Sequence, residues 1–203
     1  AISLGVLESA PQKDEARAEL LDLVHLAAVE AGVAIDERTM LAINVDTDGA
    51  VGGPARHAGL TGRKTGIDSY GEIARHSGAA LSGKDPSRID RIGAYALRQA
   101  AASLVASGLA ARCEVHAAYA IGRAEPLDLS VDSFGTGVAD DAELARRLRA
   151  ALDFRSGAIA RRLGLCGLPQ ARGEDGFYRR LATYGHFGRR DVDAPWEVTV
   201  PLG

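Results

Sequence analysis

Residues 52–91 read GGPARHAGLTGRKTGIDSYGEIARHSGAALSGKDPSRIDR and hold the densest chemistry in the chain. They set Arg63, Lys64, Lys84, Arg88 and Arg91 between glycine-rich turns, with Asp68, Asp85 and Asp90 among them. Lysine occurs only three times in 203 residues, and Lys64 and Lys84 both fall here. A compact ammonium suits a phosphate oxygen or a crowded site that a planar guanidinium would not enter. Cations, carboxylates and flexible backbone so close together fit a phosphate-plus-divalent-metal site; a charged surface loop is the competing reading. Asp85-Pro86 pairs an N-cap residue with proline at the first helical position, which predicts a helix from there to about Ser107, with Gly108 as its stop. Lys84, in Ser82-Gly83-Lys84-Asp85, then stands just before a helix N-terminus, where exposed amides and the positive end of the macrodipole favour an anion. The spacing is not that of a Walker A loop, which excludes ordinary P-loop chemistry. Arg88 lies one turn into this helix, and Asp90 presents its carboxylate more than a right angle further around it.

Outward from that stretch, periodicity sets the fold class. The predicted helix has an apolar face through Ile89, Ile92, Ala96, Ala100 and Leu104. Residues 113–121 alternate Cys113, Val115, Ala117, Tyr119 and Ile121 against Glu114, His116, Ala118 and Ala120, a half-buried strand. After a turn over 122–126, Leu127, Leu129 and Val131 alternate with Asp128, Ser130 and Asp132, giving an antiparallel partner. Asp140 and Asp141 open a helix to about Leu152, Ser156 caps a shorter one ending at Gly164, and a last short helix covers about 176–183. Upstream, 2–7 and 40–45 read as strands, 12–31 as an amphipathic helix stopped by Gly32, and 66–69 as a short strand. The sum is an α/β chain of α+β type, with helices packed over mixed or antiparallel sheet.

Composition narrows the function classes. An apolar fraction of 46% and a mean hydropathy near zero are those of a water-soluble globular protein. A formal net charge of −3 argues against a general nucleic-acid or anionic-membrane binder, so any anion site is local. Cys113 and Cys166 are far apart and outline no disulfide framework, so a reducing cytoplasm is the expected compartment. The first fifteen residues meet charge too soon for a signal peptide or a membrane span. His57, His76, His116 and His186 lack metal-ligand spacing and read as structural or solvated. No Gly-x-Ser-x-Gly elbow and no Ser/His/Asp arrangement stands out. The cluster Tyr184-Gly185-His186-Phe187-Gly188-Arg189 is unusual, and tail packing is the expected role of Phe187 and Trp196.

Four ordered blocks then carry a resemblance: GLTGRK at 59–64, SGKDPSRIDR at 82–91, AYAIGRAEP at 118–126, and ATYGHFGR at 182–189 followed by Pro195-Trp196-Glu197. The chain resembles the C-terminal half of the S-adenosylmethionine synthetase (methionine adenosyltransferase) family. That resemblance implies pseudo-threefold α/β subdomains, incomplete in this chain. It divides the chain into the end of a central segment (1–60), a phosphate- and metal-site segment with its following helix (61–110) and a C-terminal segment (111–203). It implies a transferase in which the sulfur of methionine attacks the ribose 5′ carbon of ATP and displaces tripolyphosphate, which is then cleaved. By motif, Arg63, Lys64, Lys84 and Arg88 correspond to phosphate ligands, Asp90 to the carboxylate of the Mg2+ and K+ region, and Ile121 to the adenine pocket. Arg88 stands where the family usually has lysine. The family's N-terminal half, with its His-Pro-Asp-Lys block and methionine pocket, has no counterpart here. The implied arrangement is a heteromeric, split synthetase in which a partner chain supplies that half and active sites form at subunit interfaces. Arg56-His57 replaces the family's Gly-Asp, and Asp48-Gly49 its Arg-Phe. These departures motivate two alternatives: a non-catalytic structural or regulatory homologue, or a synthetase-like enzyme with an altered nucleotide or thioether substrate.

Overall fold

The computed structural model describes residues 13–36, 39, 66–71, 73–75, 80–120, 122–171 and 176–203. The strands expected at 2–7 and 40–45, and Arg63, Lys64 and Ile121, lie outside the described residues, as do Asp48, Gly49, Arg56 and His57. The chain divides into two compact units: Ala1–Gly59 with Ala120–Arg123, and Leu60–Tyr119 with Ala124–Gly203.

The first unit contributes helix α1, Lys13–Glu30. Gly32 ends it in the left-handed conformation (φ +66°). The Gly32 amide donates to Val29 O and the Val33 amide to Ala28 O, so the last carbonyls are satisfied by a Schellman turn. Leu20, Val24 and Ala28 are half-buried along one stripe, while Leu23, Leu26 and Val29 face solvent.

The second unit is built on helix α2, Ile89–Ala106. Ile92, Ala96, Ala100 and Leu104 recur every four residues, and each is at most 1% exposed, so the apolar face read from the sequence is the one the core uses. Strands β1 (Glu114–Ala118) and β2 (Asp128–Asp132) pair antiparallel, Glu114 opposite Asp132 and Ala117 opposite Leu129. Leu129 and Val131 point into the core, where Leu144, Ala145 and Leu148 of α3 (Asp141–Ala151) cover them. Asp140 caps α3 by accepting the Glu143 amide at 2.7 Å. Helix α4 (Ser156–Arg162) and a 3-10 turn at Pro195–Glu197 pack on α2, and two short helices, α5 (Leu168–Ala171) and α6 (Phe177–Leu181), complete the unit. Among the described residues no helix is long and apolar enough to cross a membrane.

Three local expectations change. The segment 66–69 is a turn: Gly66 and Gly71 have positive φ, and the Ser69 and Gly71 amides both donate to Gly66 O. Asp85 caps no helix. Its Oδ1 accepts the Ser87 amide at 2.8 Å and the Ser87 hydroxyl, a local turn that competes with capping and delays α2 to Ile89. Ser156 is likewise the first helical residue of α4 and not its cap, its amide donating to Ala124 O.

Arginines close the sheet and several turns. Glu114 and Asp132 are like charges directly opposite each other, an unfavourable pair. Arg75 bridges them, Nε to Glu114 Oε2 at 2.7 Å and Nη2 to Asp132 Oδ2 at 2.6 Å. The Phe134 amide and then Arg75 hold Asp132 below the usual carboxylate range. Hydrogen bonds from Arg155 and Arg189 bring Asp153 and Asp191 to about 2. A carboxylate depressed in the folded state stabilises above its unfolded value, about 3.9, and that contribution is lost as pH falls through the folded value. Melting temperature should therefore drop between about pH 5 and about pH 2, and Arg75→Gln should flatten part of that slope. A flat wild-type profile would contradict this account.

Candidate functional site

Lys84 sits on the loop that leads into α2, and Asp90 in the first turn of that helix. Their side chains meet with Lys84 Nζ 2.6 Å from Asp90 Oδ2, and both remain partly open to solvent. Arg88 occupies the N-cap position, exposed, in extended conformation and without a side-chain cap bond. The structure thus brings together Lys84, Arg88 and Asp90 at one helix N-terminus. Asp90 also fits there electrostatically, as an acidic residue in a first turn.

Two other charged residues of the 52–91 stretch turn inward. Arg91 is 3% exposed; its Nη1 donates to the Lys84 carbonyl at 2.5 Å and its Nε to Tyr95 Oη at 2.9 Å. Its guanidinium lies over the Tyr178 ring, 4.3 Å from the centroid. Asp68 is 2% exposed and accepts the Leu81 and Ser82 amides at 3.0 and 2.7 Å and the Ser82 hydroxyl at 3.0 Å. Asp68 and Arg91 therefore hold the 80–84 loop from below, by its amides and by the Lys84 carbonyl, and leave the Lys84 side chain free to reach the surface.

The Tyr184–Arg189 cluster proves to be part of the same support. His186, with no exposed surface, contacts Ser82 Oγ through Nε2 at 2.9 Å and Tyr95 Oη through Nδ1 at 2.7 Å. Its amide donates to Asp68 O at 2.8 Å, and its carbonyl accepts from Trp196 Nε1 at 2.9 Å. Serine, histidine and aspartate do converge, although no such arrangement stands out in the sequence. Serine stands in the middle, however, and all three are buried, so this is no nucleophile–base pair. Periodicity could not have found residues 14 and 104 positions apart; the one signal was the odd glycine–aromatic cluster itself. Phe187 and Trp196 pack against Tyr95, as expected of them, with the Tyr95 and Trp196 rings stacked at 3.6 Å and 8°.

Gly185 shows how tightly this junction closes. Its φ is +81°, and a Cβ there would meet Ile67 O at 3.3 Å and Asp68 O at 3.4 Å. Both neighbours are backbone of the turn that positions Asp68. Gly185→Ala should destabilise the protein by about 1–3 kcal/mol through strain and displacement together. A denaturant midpoint equal to wild type would refute it.

The donor set can be tested against a divalent cation. Among the described residues no three His, Cys, Asp or Glu side chains gather as a metal cage. Asp90 is the carboxylate beside Lys84. That matches the way Mg2+ is commonly held, by one or two carboxylates together with substrate phosphates.

Residues 51–198 match the family described as S-adenosylmethionine synthetase, C-terminal domain. The S-adenosylmethionine synthase of Parasynechococcus marenigrum (strain WH8102) is 53% identical over 161 residues, which are 79% of this chain and 38% of that protein. The S-adenosylmethionine synthase of Synechococcus sp. (strain CC9902) is 52% identical over 161 residues, 79% of this chain and 39% of that protein. The chain thus spans less than two-fifths of the length of these curated relatives. Lys84, Arg88 and Asp90, the buried support beneath them and the Pro195-Trp196-Glu197 turn all lie inside the matched region, and the chain belongs to the S-adenosylmethionine synthetase C-terminal domain family.

Proposed function

We propose that this chain supplies the tripolyphosphate side of a methionine adenosyltransferase site, forming S-adenosylmethionine from ATP and methionine. The observation that carries this reading is the Lys84–Asp90 pair at the start of α2, inside the matched region and on a loop anchored by buried hydrogen bonds. Charge grows on the phosphate chain as its bond to the ribose carbon breaks. A pre-placed ammonium lowers that barrier because it need not reorganise during the step. Lys84 provides it and Asp90 holds Lys84 in place; by motif correspondence Arg63, Lys64 and Arg88 are further phosphate ligands and Ile121 is the adenine-pocket residue. Asp90, with a second aspartate from outside these residues, would hold Mg2+, which would supply charge neutralisation for the departing phosphates, and K+ is the further cation implied for this region.

The histidine at the leaving oxygen, the metal aspartate of the His-Pro-Asp-Lys block and the methionine pocket come from polypeptide outside these 203 residues, with the site formed at an interface. The relatives, about twice as long as this chain, are consistent with this division. The test is to combine the chain with a polypeptide carrying that half and to measure S-adenosylmethionine and phosphate release. Turnover that is lost with Asp90→Ala supports the catalytic reading. Turnover indifferent to Lys84→Ala and Asp90→Ala would leave the chain a structural or regulatory component.

A further inference from the structure

The buried groups beneath the Lys84 loop can be ordered by what each is able to donate. Arg91 has only N–H groups, so its Nε donates to Tyr95 Oη. Tyr95 Oη then has its own proton for His186 Nδ1, 2.7 Å away. A ring that accepts at Nδ1 carries its proton on Nε2, which faces Ser82 Oγ at 2.9 Å. Ser82 in turn donates to Asp68 Oδ1 at 3.0 Å, and Asp68 receives the Leu81 and Ser82 amides on its other oxygen, the acceptor-only pattern of an ionised carboxylate. Each donor in this series meets one acceptor, from a guanidinium at one end to a carboxylate at the other.

We infer that Arg91, Tyr95, His186, Ser82 and Asp68 form one polarised hydrogen-bond chain, and that His186, as a neutral Nε2–H imidazole, is the positioning residue that locks the Lys84 loop. The opposite assignment fails on counting. An imidazolium would turn a second N–H onto Tyr95 Oη beside that of Arg91, and the phenol proton would lose His186 Nδ1 as its acceptor in a buried site. Asp68 Oδ1, 3.8 Å from Nε2, favours the cation. Against it stand full burial and the Arg91 charge behind Tyr95, and the phenol proton's need for an acceptor decides. Burial raises the Tyr95 phenol well above its ordinary value, so its proton is available to donate throughout. The chain connects four separate segments: the 66–71 turn, the 80–84 loop, α2 and the 182–189 turn. Shifting the ring thus moves the Leu81 and Ser82 amides and the Lys84 carbonyl together.

This inference rests on the phosphate role of Lys84 for its consequence, but its structural content is testable without turnover. In the full chain labelled with 15N-histidine, His186 should show a protonated Nε2 and a bare Nδ1, unchanged from about pH 8 to about pH 5, where an ordinary histidine titrates. A protonated Nδ1, or titration of the ring within that range, overturns the assignment. Tyr95→Phe removes one hydroxyl and keeps the ring that stacks on Trp196. It should release the tautomer and speed amide exchange of residues 80–85 by about tenfold or more. Ser82→Ala should reproduce the faster exchange from the other end of the chain, and Ser82→Thr, which restores a hydroxyl, should reverse it. Unchanged exchange in both Tyr95→Phe and Ser82→Ala sinks the proposal. In the assembled enzyme Tyr95→Phe should lower kcat more than it alters the KM for methionine. Were Lys84→Ala silent while the tautomer and exchange results held, the catalytic reading would fall and the hydrogen-bond chain would stand.

Discussion

Replacing Lys84 by alanine should lower S-adenosylmethionine formation in the complete enzyme by about 10²–10³-fold, the usual cost of deleting one pre-placed charge aimed at a transition state. The folded chain should hardly notice. The Lys84–Asp90 pair is partly exposed, and such pairs contribute about 0–1 kcal/mol to stability. The effect should therefore appear in kcat while the denaturant midpoint stays close to wild type. Lys84→Arg sharpens the test. It keeps the charge, but its planar fork cannot take the place of a compact ammonium 2.6 Å from Asp90 without displacing one of them. Intermediate activity, well below wild type, is the expected outcome for Lys84→Arg. Full activity in Lys84→Ala would remove Lys84 from the chemistry altogether.

Why the sequence shows Lys84 but hides its supports follows from how each signal arises. Lys84, Arg88 and Asp90 are local: a glycine-rich loop, a helix start and a short motif lie within nine residues, SGKDPSRID. The face of α2 and the antiparallel pairing of β1 with β2 are also legible, because burial imposes periods of about 3.6 and 2 on them. Asp85-Pro86 misleads because the same carboxylate can serve an amide two residues on or a helix cap, and the sequence does not say which bond forms. Asp68, Tyr95 and His186 carry no period, and they come together only when the chain has closed on itself across about ninety residues and more. Read locally, Asp68 and Arg91 are one more carboxylate and one more cation of the phosphate stretch; burial turns them into its supports.

Those supports rest in turn on Trp196, the single tryptophan, and its removal should produce a large loss of stability. The indole has no exposed surface, stacks on Tyr95 at 3.6 Å, meets the Phe177 ring edge-on at 5.9 Å and donates Nε1 to the His186 carbonyl. Trp196→Ala leaves a cavity beside both aromatic neighbours and removes the N–H donated to that carbonyl, and should cost about 3–5 kcal/mol. Against a typical total of about 5–15 kcal/mol, that is about a fifth or more of the stability of an ordinary domain. Trp196→Phe separates the two contributions: it keeps an aromatic surface on Tyr95 but loses the N–H, and should cost about 0.5–1.5 kcal/mol for the lost hydrogen bond, plus a packing loss smaller than that of Trp196→Ala. Because both variants delete the only tryptophan, unfolding must be followed by circular dichroism and not by indole fluorescence. The order wild type, Trp196→Phe, Trp196→Ala in midpoint, with amide exchange in residues 80–85 rising in the same order, is what a shared aromatic and hydrogen-bonded support requires. A Trp196→Ala chain within about 1 kcal/mol of wild type, below the usual range for a deleted buried aromatic, would mean that the Lys84 loop is held by something other than the groups beneath it.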